Sequence, residues 1–159
     1  MVGWRLRPRR ARCLGCGRTH VLLPVGVLVR RADVAVVVGA ALVAKAAGWG
    51  HRRIAERLGR PAATVRGWLR RFAARAEVWR VAFTTLLCAL DADPPVLESQ
   101  GSAMADAVAA IVAAAAAVGR RWGVVVVGLS PWELAGAVTA GRLLWPGSKV
   151  EVANTSCPW

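Results

Sequence analysis

Two cysteines spaced Cys13-Leu-Gly-Cys16-Gly17 are the first residues in this chain whose type and spacing could do chemistry. A C-x-x-C-G turn aims two thiolates at one point, and the glycine relieves crowding behind them, which is half of a structural zinc site. A full site takes four ligands. Nearby there is only His20, while Cys88 and Cys157 stand alone in an apolar helical stretch and in the tail. Cys13 and Cys16 are therefore the candidate metal ligands, with zinc the implied ion and an unmetallated turn the competing reading. The second chemical class is carboxylate chemistry. Metal-assisted strand transfer needs separated acids that hold two ions on a folded sheet. The acids beyond residue 80 are Asp91, Asp93, Glu98, Asp106, Glu133 and Glu151, and they fall on a linker, helix starts and a tail. The only histidines are His20 and His51, so no serine, cysteine or lysine has a positioned base. A non-enzyme with no small-molecule substrate is expected.

The third class is recognition of a polyanion, and here the sequence says most. Lys and Arg number 22 against 9 Asp and Glu, a formal charge of +13 in 159 residues. Up to Arg80 the balance is +15, and beyond it −2. Such segregation points the first half at nucleic acid or an anionic surface. The scarcity of lysine, amides and tyrosine looks like the codon bias of a GC-rich genome, so position of charge carries more weight than composition.

The elements that would present this charge follow from periodicity. Residues 1–31 are rich in Arg and interrupted by glycine and proline, which predicts irregular structure with short strands. Asp33 is a plausible N-cap for a buried helix over Val34 to Ala47, stopped by Gly48. After Gly48-Trp49-Gly50, Ile54, Ala55 and Leu58 share one face of a short helix that Gly59 can end through a positive φ. Pro61 suits the first turn of a second helix, running to Arg75, with Val65, Trp68, Leu69 and Phe72 facing inward. Helix, glycine turn, helix is the spacing of a helix-turn-helix, and small Ala55 fits where the helices cross. Arg60 departs from the aliphatic residue usual at its place.

Within that motif Arg66 and Arg70 are the candidates for base edges. Ala62, Ala63 and Thr64 would permit close approach to the groove. Arg52, Arg53, Arg57, Arg60 and Arg71 would hold phosphates. Without a DNA role the same periodicity describes an amphipathic hairpin with a solvated arginine face, which leaves the charge segregation unexplained.

Two further stripes, Trp79-Phe83-Leu86-Leu90 and Met104-Val108-Ile111-Ala115-Val118, could pack within one chain or across a homodimer. They are separated by a linker at 94–102. Ser130-Pro131-Trp132-Glu133 predicts a capped helix to about Leu144. The expected domains are 1–31, a partial zinc-ribbon-like segment; 32–76, the helix-turn-helix; 77–145, a helical region for packing or dimerisation; and 146–159, a disordered tail. The fold class is mainly α, a three-helix core followed by a helical half, with a short irregular or β N-terminal half-ribbon. No run of about 20 apolar residues is expected to span a membrane, and a cytoplasmic location follows.

Arg7 through Cys16, Thr19 through Pro24 and Gly50 through Phe72 resemble bacterial zinc-ribbon and helix-turn-helix proteins related to the N-terminal regions of insertion-sequence transposases. The resemblance covers about residues 5 to 80. It implies binding to double-stranded DNA and a link to mobile elements. In that family a first C-x-x-C lies roughly 30 residues upstream and completes the ribbon. Its absence here suggests a truncated or mis-started chain and puts the metal in question. The alternative function is a helical interaction or dimerisation module with nonspecific polyanion or membrane-surface binding.

Overall fold

The computed structural model describes residues 7–15, 17–123 and 128–145. They form a two-stranded antiparallel sheet, β1 (Arg9–Arg12) and β2 (Thr19–Leu22), followed by six helices. These are α1 (Ala35–Ala46), α2 (His51–Leu58), α3 (Ala62–Ala73), α4 (Ala76–Leu90), α5 (Ala103–Trp122) and α6 (Pro131–Val138). The mainly helical fold is as expected. The hairpin pairs Arg9 with Leu22 and Arg12 with Thr19, so its turn holds the cysteine knuckle. The proposed tail at 146–159 lies outside the described residues.

Helix α1 starts differently from the expectation. Its N-cap is Val34, extended and without a side-chain cap. The first turn is instead tied down by Ala35 N–H donating to the Gly26 carbonyl at 2.8 Å and by an isolated bridge between Val27 and Val34. Asp33, expected to cap, accepts from Arg60 Nε instead, at 2.5 Å. An ion pair across 27 residues of sequence outcompetes a local cap because the carboxylate then meets a full charge rather than a backbone dipole.

Helix α2 ends as its sequence dictates. Gly59 takes φ 60°, ψ 41°, while Gly59 N–H and Arg60 N–H close back onto Glu56 and Ala55. Nothing lies within 4 Å of a Cβ built at Gly59, so its conformation alone requires glycine there. Gly59→Ala is therefore expected to cost about 1 kcal/mol through the left-handed backbone, without a clash. A urea titration checks this, and an unchanged midpoint would contradict it. Pro61 is the N-cap of α3 rather than its first helical residue, and α3 stops at Ala73, two residues short of the expected end. Arg75 then becomes the N-cap of α4.

The second half packs on the first. α4 and α5 lie against each other as an antiparallel pair, and α5 also touches α1, α3 and α6. One apolar core contains Val38 and Leu42 of α1, Ile54 of α2, Val65, Trp68 and Phe72 of α3, Phe83 and Leu87 of α4, Ile111 of α5 and Trp132 of α6. The core therefore runs unbroken across the expected boundary at 76/77. The two helical stripes meet each other within the chain.

By length and composition α5 is long and apolar enough to cross a membrane, a correction to the run-length expectation. The reason is that Asp106 occupies its first turn and Arg120 and Arg121 its last, so the charges that interrupt the run sit at the helix ends. Ala107, Ala110, Ile111 and Ala114 of α5 are fully buried in the shared core.

Helix α6 begins on a complete capping box. Ser130 Oγ accepts from Glu133 N–H, and the Glu133 carboxylate accepts from Ser130 N–H at 2.9 Å. It stops at Val138 rather than near Leu144. Ala140 (φ 49°) and Gly141 (φ 75°) reverse the chain there. The Gly141 carbonyl accepts from Val29 N–H at 2.8 Å, and a Cβ at Gly141 would meet Val29 at 3.0 Å. The segment before α1 thus occupies the path a longer helix would take. Leu143 and Leu144 are returned to the core.

Candidate nucleic-acid interface

The helix-turn-helix is built around the contact of α2 with α3. Ala55 is 3% exposed at that contact, and Val65, Trp68 and Phe72 of α3 are at most 2% exposed. Because a helix turns about 100° per residue, burying those three leaves Ala62, Ala63, Arg66 and Arg70 on the solvent side, and all four are exposed. Ala62 and Ala63 keep the first turn slim. Arg66 and Arg70, one turn apart, project from the same stripe.

The other named residues flank this face. Arg52, Arg53 and Arg57 are exposed on α2. Arg53 lies over the Trp49 ring, 4.0 Å from its centroid, and Arg57 approaches the same ring at 5.5 Å. The attraction of guanidinium to the ring face holds two cations beside the first helix. Sequence reasoning missed Trp49; the signal was an aromatic residue four and eight positions before two arginines. Thr64 and Arg71 are half-buried. A Cβ at Gly67 would stand 2.9 Å from Arg71 Nη1, so Arg71 lies folded across that glycine.

Arg60 differs from the rest of the phosphate set. Its side chain is 25% exposed, with Nε on Asp33 and Nη1 on the Gly59 carbonyl at 3.2 Å. In this arrangement it ties the turn to the entry of α1. The ion pairs among the described residues are Arg60–Asp33, Arg80–Glu77 and Arg120–Asp91. Hence the guanidinium groups of Arg52, Arg53, Arg57, Arg66, Arg70 and Arg71 carry charge that no described carboxylate neutralises.

At the knuckle, Cys13 N–H donates to the Arg18 carbonyl and Gly17 N–H to the Cys13 carbonyl, both at 2.9 Å, a tight turn. Cys16, the other expected ligand, lies outside the described residues. Among the described residues no three His, Cys, Asp or Glu side chains gather where they could hold a metal. The described donors alone therefore do not make up a four-ligand zinc site.

A family model described as a homeodomain-like domain matches residues 32–79, which span α1, α2, α3 and the start of α4. No curated protein and no solved structure matches the chain. The matched segment is thus similar to a helix-turn-helix domain of a DNA-binding type, and it coincides with the three helices that carry the uncompensated arginines.

Proposed function

We propose that the chain binds double-stranded DNA by laying α3 in the major groove while α2 crosses the phosphate backbone. It acts as a transposase-related or regulatory protein in the cytoplasm and carries no catalytic domain of its own. The observation that carries this reading is the exposed stripe of α3, on which Arg66 and Arg70 stand free of any described acid beside the small Ala62 and Ala63. A planar guanidinium on such a stripe can donate two hydrogen bonds to guanine O6 and N7, and a small residue beside it lets the helix approach. The remaining arginines of α2 and Arg71 supply the sequence-independent attraction that fixes register.

In vitro selection from a random duplex pool at about 150 mM salt, where nonspecific phosphate binding is weakened, tests the reading. An enriched motif is the expected result. Binding that enriches nothing and disappears as salt rises would reduce the arginine face to a generic polyanion surface.

A further inference from the structure

Four arginines outside the groove-facing stripe converge on one short piece of backbone, residues 144–145. Arg31 Nη2 donates to the Leu144 carbonyl at 3.4 Å, and Arg75 Nη1 donates to the Trp145 carbonyl at 3.2 Å. Arg30 stacks over the Trp145 ring, 4.9 Å from its centroid. Arg71 is close enough to Arg31 for its charge to act there. Burial first, and then that like charge, pull the Arg31 guanidinium below its ordinary value. The Nε of Arg31 is buried without a hydrogen-bond partner, and a buried donor without an acceptor is rare in folded proteins.

No described carboxylate is paired with any of the four. Asp33, Glu77 and Asp91 are taken by Arg60, Arg80 and Arg120. Asp106 accepts from Gln100 N–H and Ser99, and Glu133 from Ser130. The four therefore crowd positive charge around neutral acceptors only, an arrangement that a dianion or phosphodiester would relieve. Its place matters too. Arg71 follows Arg70 by one residue and so stands about 100° round α3, on the flank of the exposed stripe. Phosphates line the walls of a groove whose floor a recognition helix reads.

We propose that Arg30, Arg31, Arg71 and Arg75 form a site for one phosphate group, and that a backbone phosphate of the duplex fills it. Choosing the duplex as the source rests on the DNA-binding reading above. The site itself rests only on the cluster. Arg30, Arg31 and the 144–145 carbonyls lie outside the homeodomain-like match, so the segments flanking that domain would contribute to its grip on DNA.

Arg31 and Arg75 also hold the backbone, so the test uses the other two. Arg30→Gln/Arg71→Gln is compared with a control of equal charge loss, Arg18→Gln/Lys45→Gln, in the full chain, after tryptophan near-UV spectra confirm the fold of each. Two readouts are taken: the salt dependence of duplex binding, and the melting temperature in inorganic phosphate against chloride at constant ionic strength. The cluster variant is expected to flatten the salt slope by about two, roughly one per phosphate-contacting charge removed, and to lose a phosphate-dependent rise in melting temperature that the control keeps. Equal slopes and equal melting shifts in the two variants would overturn the site. Loss of the melting shift with an unchanged slope would overturn the duplex as source and make the ligand a free phosphate. If selection enriches no motif yet the cluster variant still flattens the slope, the groove reading fails and this site stands.

Discussion

Gly39→Ala is expected to destabilise the protein by about 3 kcal/mol, near the top of the range for overpacking a core. A Cβ at Gly39 would be driven into the indole of Trp132. Neither partner has room to yield. The first turn of α6 that carries Trp132 is fixed by the Ser130–Glu133 capping box, and Trp132 is 6% exposed. On the α1 side, Val38 and Leu42 are completely buried. Relief must come from separating α1 and α6. The reciprocal change, Trp132→Ala, should cost about 3–5 kcal/mol by leaving a cavity. For a chain of this length each kcal/mol shifts the melting temperature by roughly 2–4 °C. The double variant is the sharper measurement, since the alanine methyl then occupies space the indole has vacated. Its destabilisation should fall short of the sum of the singles by about 1 kcal/mol or more. Strict additivity in urea titrations would sink the contact.

This contact also bears on function, because α1 is the helix on which α2 and α3 are assembled. Residues 32–79 have the sequence features of a domain by themselves, yet Trp132, Leu143 and Leu144 complete the core beneath them. A variant that loosens α6 should weaken DNA binding without touching a single arginine.

What the sequence disclosed, and what it hid, divides along the same line. Local rules located the helix-turn-helix, since Gly59, Pro61 and the Val65-Trp68-Leu69-Phe72 periodicity act within a few residues of themselves. The same rules marked Ser130 and Glu133 as a cap. They failed wherever a distant segment decides. Asp33 reads as a cap until Arg60 arrives from across the turn, and α6 reads as running to Leu144 until Val29 claims the Gly141 carbonyl. Gly39 is inconspicuous in an alanine- and valine-rich helix until the indole beside it is known. The cluster at 144–145 draws its arginines from three separate stretches, which no window of sequence brings together. As for the knuckle, its spacing was legible, but Cys16 lies outside the described residues.

A division of labour among the arginines gives the other large effect. Arg66→Ala should cut discrimination between a selected duplex and one altered at a single base pair by about 1–3 kcal/mol, the worth of one good bidentate pair. Arg66 is exposed at the centre of the slim stripe, with no described carboxylate to release it from, so the loss reports on DNA contact and not on folding. Arg52→Ala, on α2, should weaken the selected and altered duplexes alike and flatten the salt slope by about one. The two variants remove the same charge from the same domain. A purely electrostatic surface would answer both with the same change in slope and none in discrimination, whereas a reading helix answers each in its own way. Competition titrations of both duplexes over a range of salt concentrations separate the two cases. If Arg52→Ala relaxed discrimination as much as Arg66→Ala, α3 would not be the helix that reads the bases.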